Sequence, residues 1–239
     1  MQRTFAKILF ASLFCVAAFS ASAAPILIKE TGRGNGQLTN SMTLPMQSGA
    51  ANYWAGLQIL AIDNDNSVLA FCIDPWESSP KSDQSYETGD LNGIFGSITA
   101  NFINELYSKF YASTLEDSEA GKNAAAGFQL ALWELIADHD FTLDGSGLVA
   151  TNANTNKTIV NVANEMLGQL NGSLGNDLYS FTFYTSGKVN GEGDIKGYQD
   201  YLVAEKVPNR APEPASVLLL ATALGGGLLI ARRRRQSQD

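Results

Sequence analysis

Apolar and polar residues alternate along two short runs, "GLQILAI" (56–62) and "SVLAFCI" (67–73), separated by the polar tetrad "DNDN". Period-two patterning on both sides of a turn-rich tetrad predicts a β-hairpin. In the second run Val68, Ala70 and Cys72 share one face while Leu69, Phe71 and Ile73 share the other. Both faces are apolar, so a central strand with Cys72 at least partly buried is expected. Residues 31–52, rich in Gly, Asn, Ser and Thr, read as an irregular or edge-strand opening, and "DPWESSPKSDQSYETGD" (74–90) reads as a long polar loop.

From about Gly93 the period changes to that of a helix. "ANFINELYSKFYAS" sets Phe102, Leu106, Lys109 and Phe110 near one stripe, and "GKNAAAGFQLALWELIADHD" is a second, strongly apolar helix. "NKTIVNVANEMLGQLNG" is a third, with Ile159, Val162, Ala163, Met166, Leu167 and Leu170 at helical spacing and Gly172 as the expected stop. Strand patterns return in "DLYSFTFYTS" and in "YQDYLVAEKV", which closes before Pro208. Strands, helices, then strands predict an α+β fold: a β-sandwich or barrel-like sheet with a helical insertion on one side.

The two ends of the chain change the picture of where it works. Residues 1–24 have the build of a secretory signal: Arg3 and Lys7, an apolar run Ile8–Phe19, and the small-residue box Ala21-Ser22-Ala23. An N-terminal membrane anchor fits less well, because the apolar run is short and ends in small residues. Residues 208–239 hold Pro212-Glu213-Pro214, an uncharged stretch Ala215–Ala231 and four arginines, Arg232–Arg235. As a helix the stretch is about 25 Å long, near the ~30 Å hydrocarbon core, so a single C-terminal transmembrane helix is expected. The arginines would stay cytoplasmic, leaving the folded part outside; they argue against a buried core helix.

This tail resembles the PEP-CTERM sorting signal of Gram-negative bacteria, with triplet, membrane segment and basic terminus in order. The resemblance implies a precursor held transiently in the inner membrane, cut near the triplet by an exosortase-type sorting protease. It implies delivery to the cell surface or an extracellular polysaccharide matrix. The intervening residues 25–207 are expected to make the extracellular part, as one domain or two closely packed ones. Over 25–210 there are 10 lysines and arginines against 22 acidic residues, a net charge near −12. Such acidity argues against nucleic acid as a partner.

Export also isolates Cys72. The chain has two cysteines, and Cys15 belongs to the signal segment, so Cys72 has no disulfide partner within the mature domain. The other unusual residue is Gln129, which shares a helix face with Ala125, Leu132, Trp133 and Ile136. A buried amide there needs hydrogen-bond partners, and taken alone it reads as a core glutamine satisfied by backbone groups.

Together, "FCIDPW" and "FQLALWEL" resemble the thioester domain of bacterial surface adhesins, the TQxA-type domain, and the resemblance extends over most of residues 40–206. Phe71-Cys72-Ile73 and Gln129-Leu130-Ala131-Leu132-Trp133 stand at that family's two motifs, 57 residues apart and in its order. The resemblance implies an internal thioester between the Cys72 sulfur and the Gln129 side-chain carbonyl, shielded by Trp133 and Phe71, with Asp74 and His139 around it. It implies single-use acylation of a target amine or hydroxyl, on a polysaccharide or a protein, rather than enzymatic turnover. No cofactor or metal is expected. The chain departs from the family motif in one place: Phe128 stands where a threonine is usual.

Other chemistries compete. A non-covalent structural or carbohydrate-binding matrix component is the alternative, with Trp54, Trp76 and the tyrosines as a platform. A Cys-His-Asp hydrolase would use Cys72 and the lone His139, which is flanked by Asp138 and Asp140; its place at a helix C-terminus reads better as a cap. Asp63, Asp65 and Asp74 lack the glycine and distal glutamate of a calcium loop, so a hairpin turn is the better reading.

Overall fold

The computed structural model describes residues 25–44, 49–63, 66–75, 77–137, 141–143, 151–152, 154–173, 178–186 and 197–208. The signal segment, Trp76, His139, the Pro212-Glu213-Pro214 triplet and the C-terminal apolar stretch lie outside these residues. Among the described residues no helix is long and apolar enough to cross a membrane.

Six antiparallel strands close into a barrel: β1 (Ile26–Leu38), β2 (Trp54–Ile62), β3 (Asn66–Cys72), β4 (Gln84–Gly89), β5 (Tyr179–Thr185) and β6 (Tyr201–Lys206), in the spatial order β1-β2-β3-β6-β5-β4. Three helices, α1 (Leu91–Thr114), α2 (Glu119–Ala137) and α3 (Lys157–Leu167), follow β4 and precede β5. The expected mixture of sheet and inserted helices is therefore present, with the sheet a closed barrel. The hairpin of β2 and β3 pairs Gln58 with Ala70 and Leu60 with Val68, and β3 is flanked on its other side by β6.

Two local expectations are corrected and one is sharpened. Residues 31–38, expected as an irregular or edge-strand opening, belong to β1, which begins earlier at Ile26 and beyond Ile28 pairs with β2 alone. Its polar, glycine-rich sequence accompanies register shifts at Glu30/Gly32 and Arg33/Gly36. There β1 and β2 approach so closely that a Cβ on Gly56 would sit 2.4 Å from the Gly36 Cα, so no other residue fits. The polar loop 74–90 contains β4, in which only Tyr86 is buried. The third helix ends at Gly168, not Gly172. Gly172 instead adopts a left-handed φ of 72° and gives its N–H to Glu105 at 2.9 Å.

Among the described residues there are two cores. Inside the barrel, Ile28, Leu60, Ala70, Tyr86, Tyr201 and Val203 pack together. A larger core lies where the sheet meets the helices, built on the outward face of β3, on α1 and α3, and on the apolar α2 between them. Gly127 allows α2 and α3 to close up, since a Cβ there would meet Val162 Cγ1 at 2.5 Å. Glu105 of α1 is buried and accepts from Lys109 Nζ (2.6 Å) and from the N–H groups of Asn171 and Gly172. Burial alone would raise its carboxyl, but those bonds outweigh it and hold the group below the ordinary range.

Phe71 points into an aromatic cluster with Tyr107, Tyr111 and Phe128. The Tyr107 hydroxyl is buried there with no hydrogen-bond partner among the described residues. An unpaired buried hydroxyl costs about 1–3 kcal/mol. Tyr107→Phe should therefore stabilise the protein by about 1 kcal/mol, read as a higher urea midpoint. A lower midpoint would mean that the hydroxyl has a partner in solution.

Candidate functional site

Cys72 is the last residue of β3, where the strand pairs with Tyr201 of β6. The middle of α2 crosses this end of the strand. Gln129 and Trp133, one helical turn apart, descend on the same face and are fully buried, as is Cys72. The Gln129 carboxamide lies along the cysteine backbone: Oε1 accepts from the Cys72 N–H at 3.1 Å, and Nε2 donates to the Cys72 carbonyl at 2.7 Å. The Trp133 indole N–H donates to the same carbonyl at 3.1 Å. Gln129 thus mimics one rung of a β-ladder. Its partners are backbone groups, as a core glutamine requires, and those groups belong to Cys72, the one cysteine among the described residues.

Cys72 is a free thiol. Burial pushes it well above its usual range; the neighbouring Asp74 carboxylate adds to the rise, while hydrogen bonds from the Trp133 side chain and the Asp74 backbone act against it. Asp74 follows closely on β3 and is itself buried, accepting from the Asp200 N–H at 2.5 Å. Burial first, then the charge of Asp200, pushes its carboxyl up to about 8. Asp200, whose own carboxyl is raised to about 6 mainly by burial, accepts from the Ser186 N–H at 2.9 Å. Its backbone carbonyl takes the Ile73 N–H at 3.0 Å, so the two aspartates knit β3 to β6 beside Cys72.

Phe128, the departure from the adhesin motif, stacks on Phe71 with ring centroids 4.5 Å apart. Both rings belong to the helix–sheet core. The position before the glutamine is a packing site in this chain and brings no hydroxyl to the carboxamide.

On its other side Trp133 forms a wall of a pocket of about 160 Å3, together with Pro75, Gln58, Ser79, Gln199, Glu30 and residues of the 52–54 segment. Behind it the Gln58 and Gln199 side chains are buried and joined at 2.8 Å, and the Ser79 hydroxyl donates to Gln199 Oε1 at 2.9 Å. The Tyr86 hydroxyl donates to the Gln199 carbonyl at 2.9 Å.

Of the residues singled out from sequence, Cys72, Gln129, Trp133 and Asp74 come together, and Phe71 packs behind them. His139 and Trp76 lie outside the described residues. Asp63 is occupied as a clip, accepting from the Leu27 N–H at 2.8 Å. Trp54 lies under the Arg33 guanidinium at 5.0 Å. Among the described residues no group of three or more His, Cys, Asp or Glu side chains is placed to hold a metal ion. Asp200, Gln199, Gln58 and Ser79 were not foreseen. Asp200 and Gln199 arrive from beyond the whole helical insertion, where the chain enters β6 beside β3, while Gln58 and Ser79 meet Gln199 through side-chain contacts that no local pattern records.

No protein-family model matches the chain, and no curated protein matches it.

Proposed function

We propose that this is an exported adhesion protein of the cell surface or extracellular matrix, attached covalently to its target through a Cys72–Gln129 thioester. The observation that carries the reading is the clamp: a buried carboxamide fixed by two hydrogen bonds on the backbone of a lone buried cysteine. Closure balances without any other reagent. The Cys72 sulfur adds to the Gln129 side-chain carbonyl, the carbon–nitrogen bond breaks, and the thiol proton leaves with the nitrogen as ammonia. Holding the two groups together replaces a bimolecular encounter by a local one.

Buried surroundings favour a long-lived bond, because Trp133 and the apolar core keep water from the acyl carbon. A target amine or hydroxyl then attacks that carbon, becomes acylated on Gln129 and restores the Cys72 thiol. The event happens once per molecule, so the protein is not an enzyme. The sorting tail, an exosortase-type protease as its partner, and passage through the inner membrane complete the proposal.

Intact mass of the exported protein tests it. The mature species should be lighter than its sequence by one ammonia. That deficit should vanish in Cys72→Ala and in Gln129→Ala, and methylamine should be added in its place. A full-mass protein with one freely titratable thiol would instead favour a non-covalent matrix component.

A further inference from the structure

The pocket behind Trp133 has a chemistry of its own. The one carboxylate of its lining is already paired: Glu30 takes Lys81 Nζ at 2.7 Å and lies 3.9 Å from the Arg33 guanidinium. No unsatisfied carboxylate is therefore offered to an incoming ammonium, and the half-exposed Arg33, resting on Trp54, sets a positive charge at the rim. The inner wall is different. Gln58, Gln199 and Ser79 form a neutral network in which each amide and hydroxyl holds a fixed orientation, and together they present donors and acceptors side by side. A sugar hydroxyl needs both at once, and this lining supplies both from Gln58, Gln199 and Ser79. At about 160 Å3 the space is far larger than the ~10–15 Å3 that one water requires.

We propose that this pocket binds a neutral saccharide unit and presents one of its hydroxyls past the Trp133 edge to the Gln129 acyl carbon, in preference to a protonated alkylamine. The transfer rests on the thioester reading; the binding does not. In the transfer the hydroxyl oxygen forms an ester with the Gln129 carbonyl, the carbon–sulfur bond breaks, and the hydroxyl proton ends on the Cys72 sulfur. The buried setting that raises the thiol favours that final proton position.

Saturation-transfer NMR of the Cys72→Ala protein, which cannot form the bond, tests binding with methyl glucoside and N-acetyl-lysine methyl ester as probes. Saturation should pass to the glucoside and not to the lysine ester, and should be lost in Cys72→Ala combined with Ser79→Ala. Gln199→Ala serves as a second variant, and circular dichroism checks that each double variant is folded. No transfer to the glucoside, transfer that survives both substitutions, or stronger transfer to the lysine ester overturns the saccharide pocket. In the protein with intact Cys72, intact mass should show glucoside addition slowed about tenfold by Ser79→Ala, the order expected for one lost hydrogen bond. A missing ammonia deficit would refute the thioester while leaving the binding result to decide the pocket.

Discussion

Gln129→Ala should be less stable than Cys72→Ala by about 3 kcal/mol in urea denaturation. Neither variant can form a cross-link, so their difference reads the packing and hydrogen bonds of the Gln129 side chain and not a covalent bond. Removing the Gln129 side chain leaves a void at the centre of α2 and strips the Cys72 N–H of its acceptor in a fully buried site. Truncation of a large core side chain costs roughly 2–5 kcal/mol and an orphaned buried donor a further ~1–3 kcal/mol. The carbonyl of Cys72 keeps the Trp133 indole, which limits the loss. Cys72→Ala leaves both backbone hydrogen bonds in place and removes one sulfur atom, a loss of about 1 kcal/mol. Equal stabilities would mean that Gln129 does not rest on the Cys72 backbone in solution. In the proposed thioester closure the clamp would fix the carbonyl before the bond forms, so the reacting groups would lose little further freedom.

How much of this was legible in the sequence follows from how local each signal is. The β2–β3 hairpin and the three helices were readable because their periods lie within about a dozen residues. Gln129 was readable for the same reason: a polar residue on an otherwise apolar stripe stands out, and it is fully buried. β1 was legible only as an irregular or edge-strand opening, because its bulges and its Gly36–Gly56 contact demand the small and polar residues that also mark loops. β4 was missed because its single buried side chain, Tyr86, leaves no alternation to see. Asp200 and Gln199 were invisible because β6 meets β3 only after the chain has built all three helices. Phe128 is the instructive case. Against a motif it looked like a defect; in the structure its stacking on Phe71 gives it a reason of its own.

Stability should fall as pH rises from about 4 to about 8, and Asp74→Asn should flatten most of that fall. Burial and the neighbouring Asp200 hold the folded Asp74 carboxyl at about 8, against about 3.9 in the unfolded chain. Between those values the folded state binds the extra proton, so each step upward in pH favours unfolding. The stabilisation is complete below about pH 4 and gone once pH passes about 8. At about 1.4 kcal/mol per pKa unit, the effect amounts to several kcal/mol. Asparagine keeps an oxygen for the Asp200 N–H but cannot ionise, so the variant should overtake the wild type near pH 8. Its residual slope should centre near pH 6, where Asp200 titrates. Urea midpoints of both proteins measured across this range decide the matter, and parallel curves would mean that Asp74 is charged throughout. The consequence reaches the site directly. Above pH 8 two adjacent carboxylates repel where β3 and β6 are joined by the Ile73 and Asp200 backbone, the same strand end that presents Cys72 to Gln129. A protonated Asp74 is therefore part of what keeps that end closed at neutral pH.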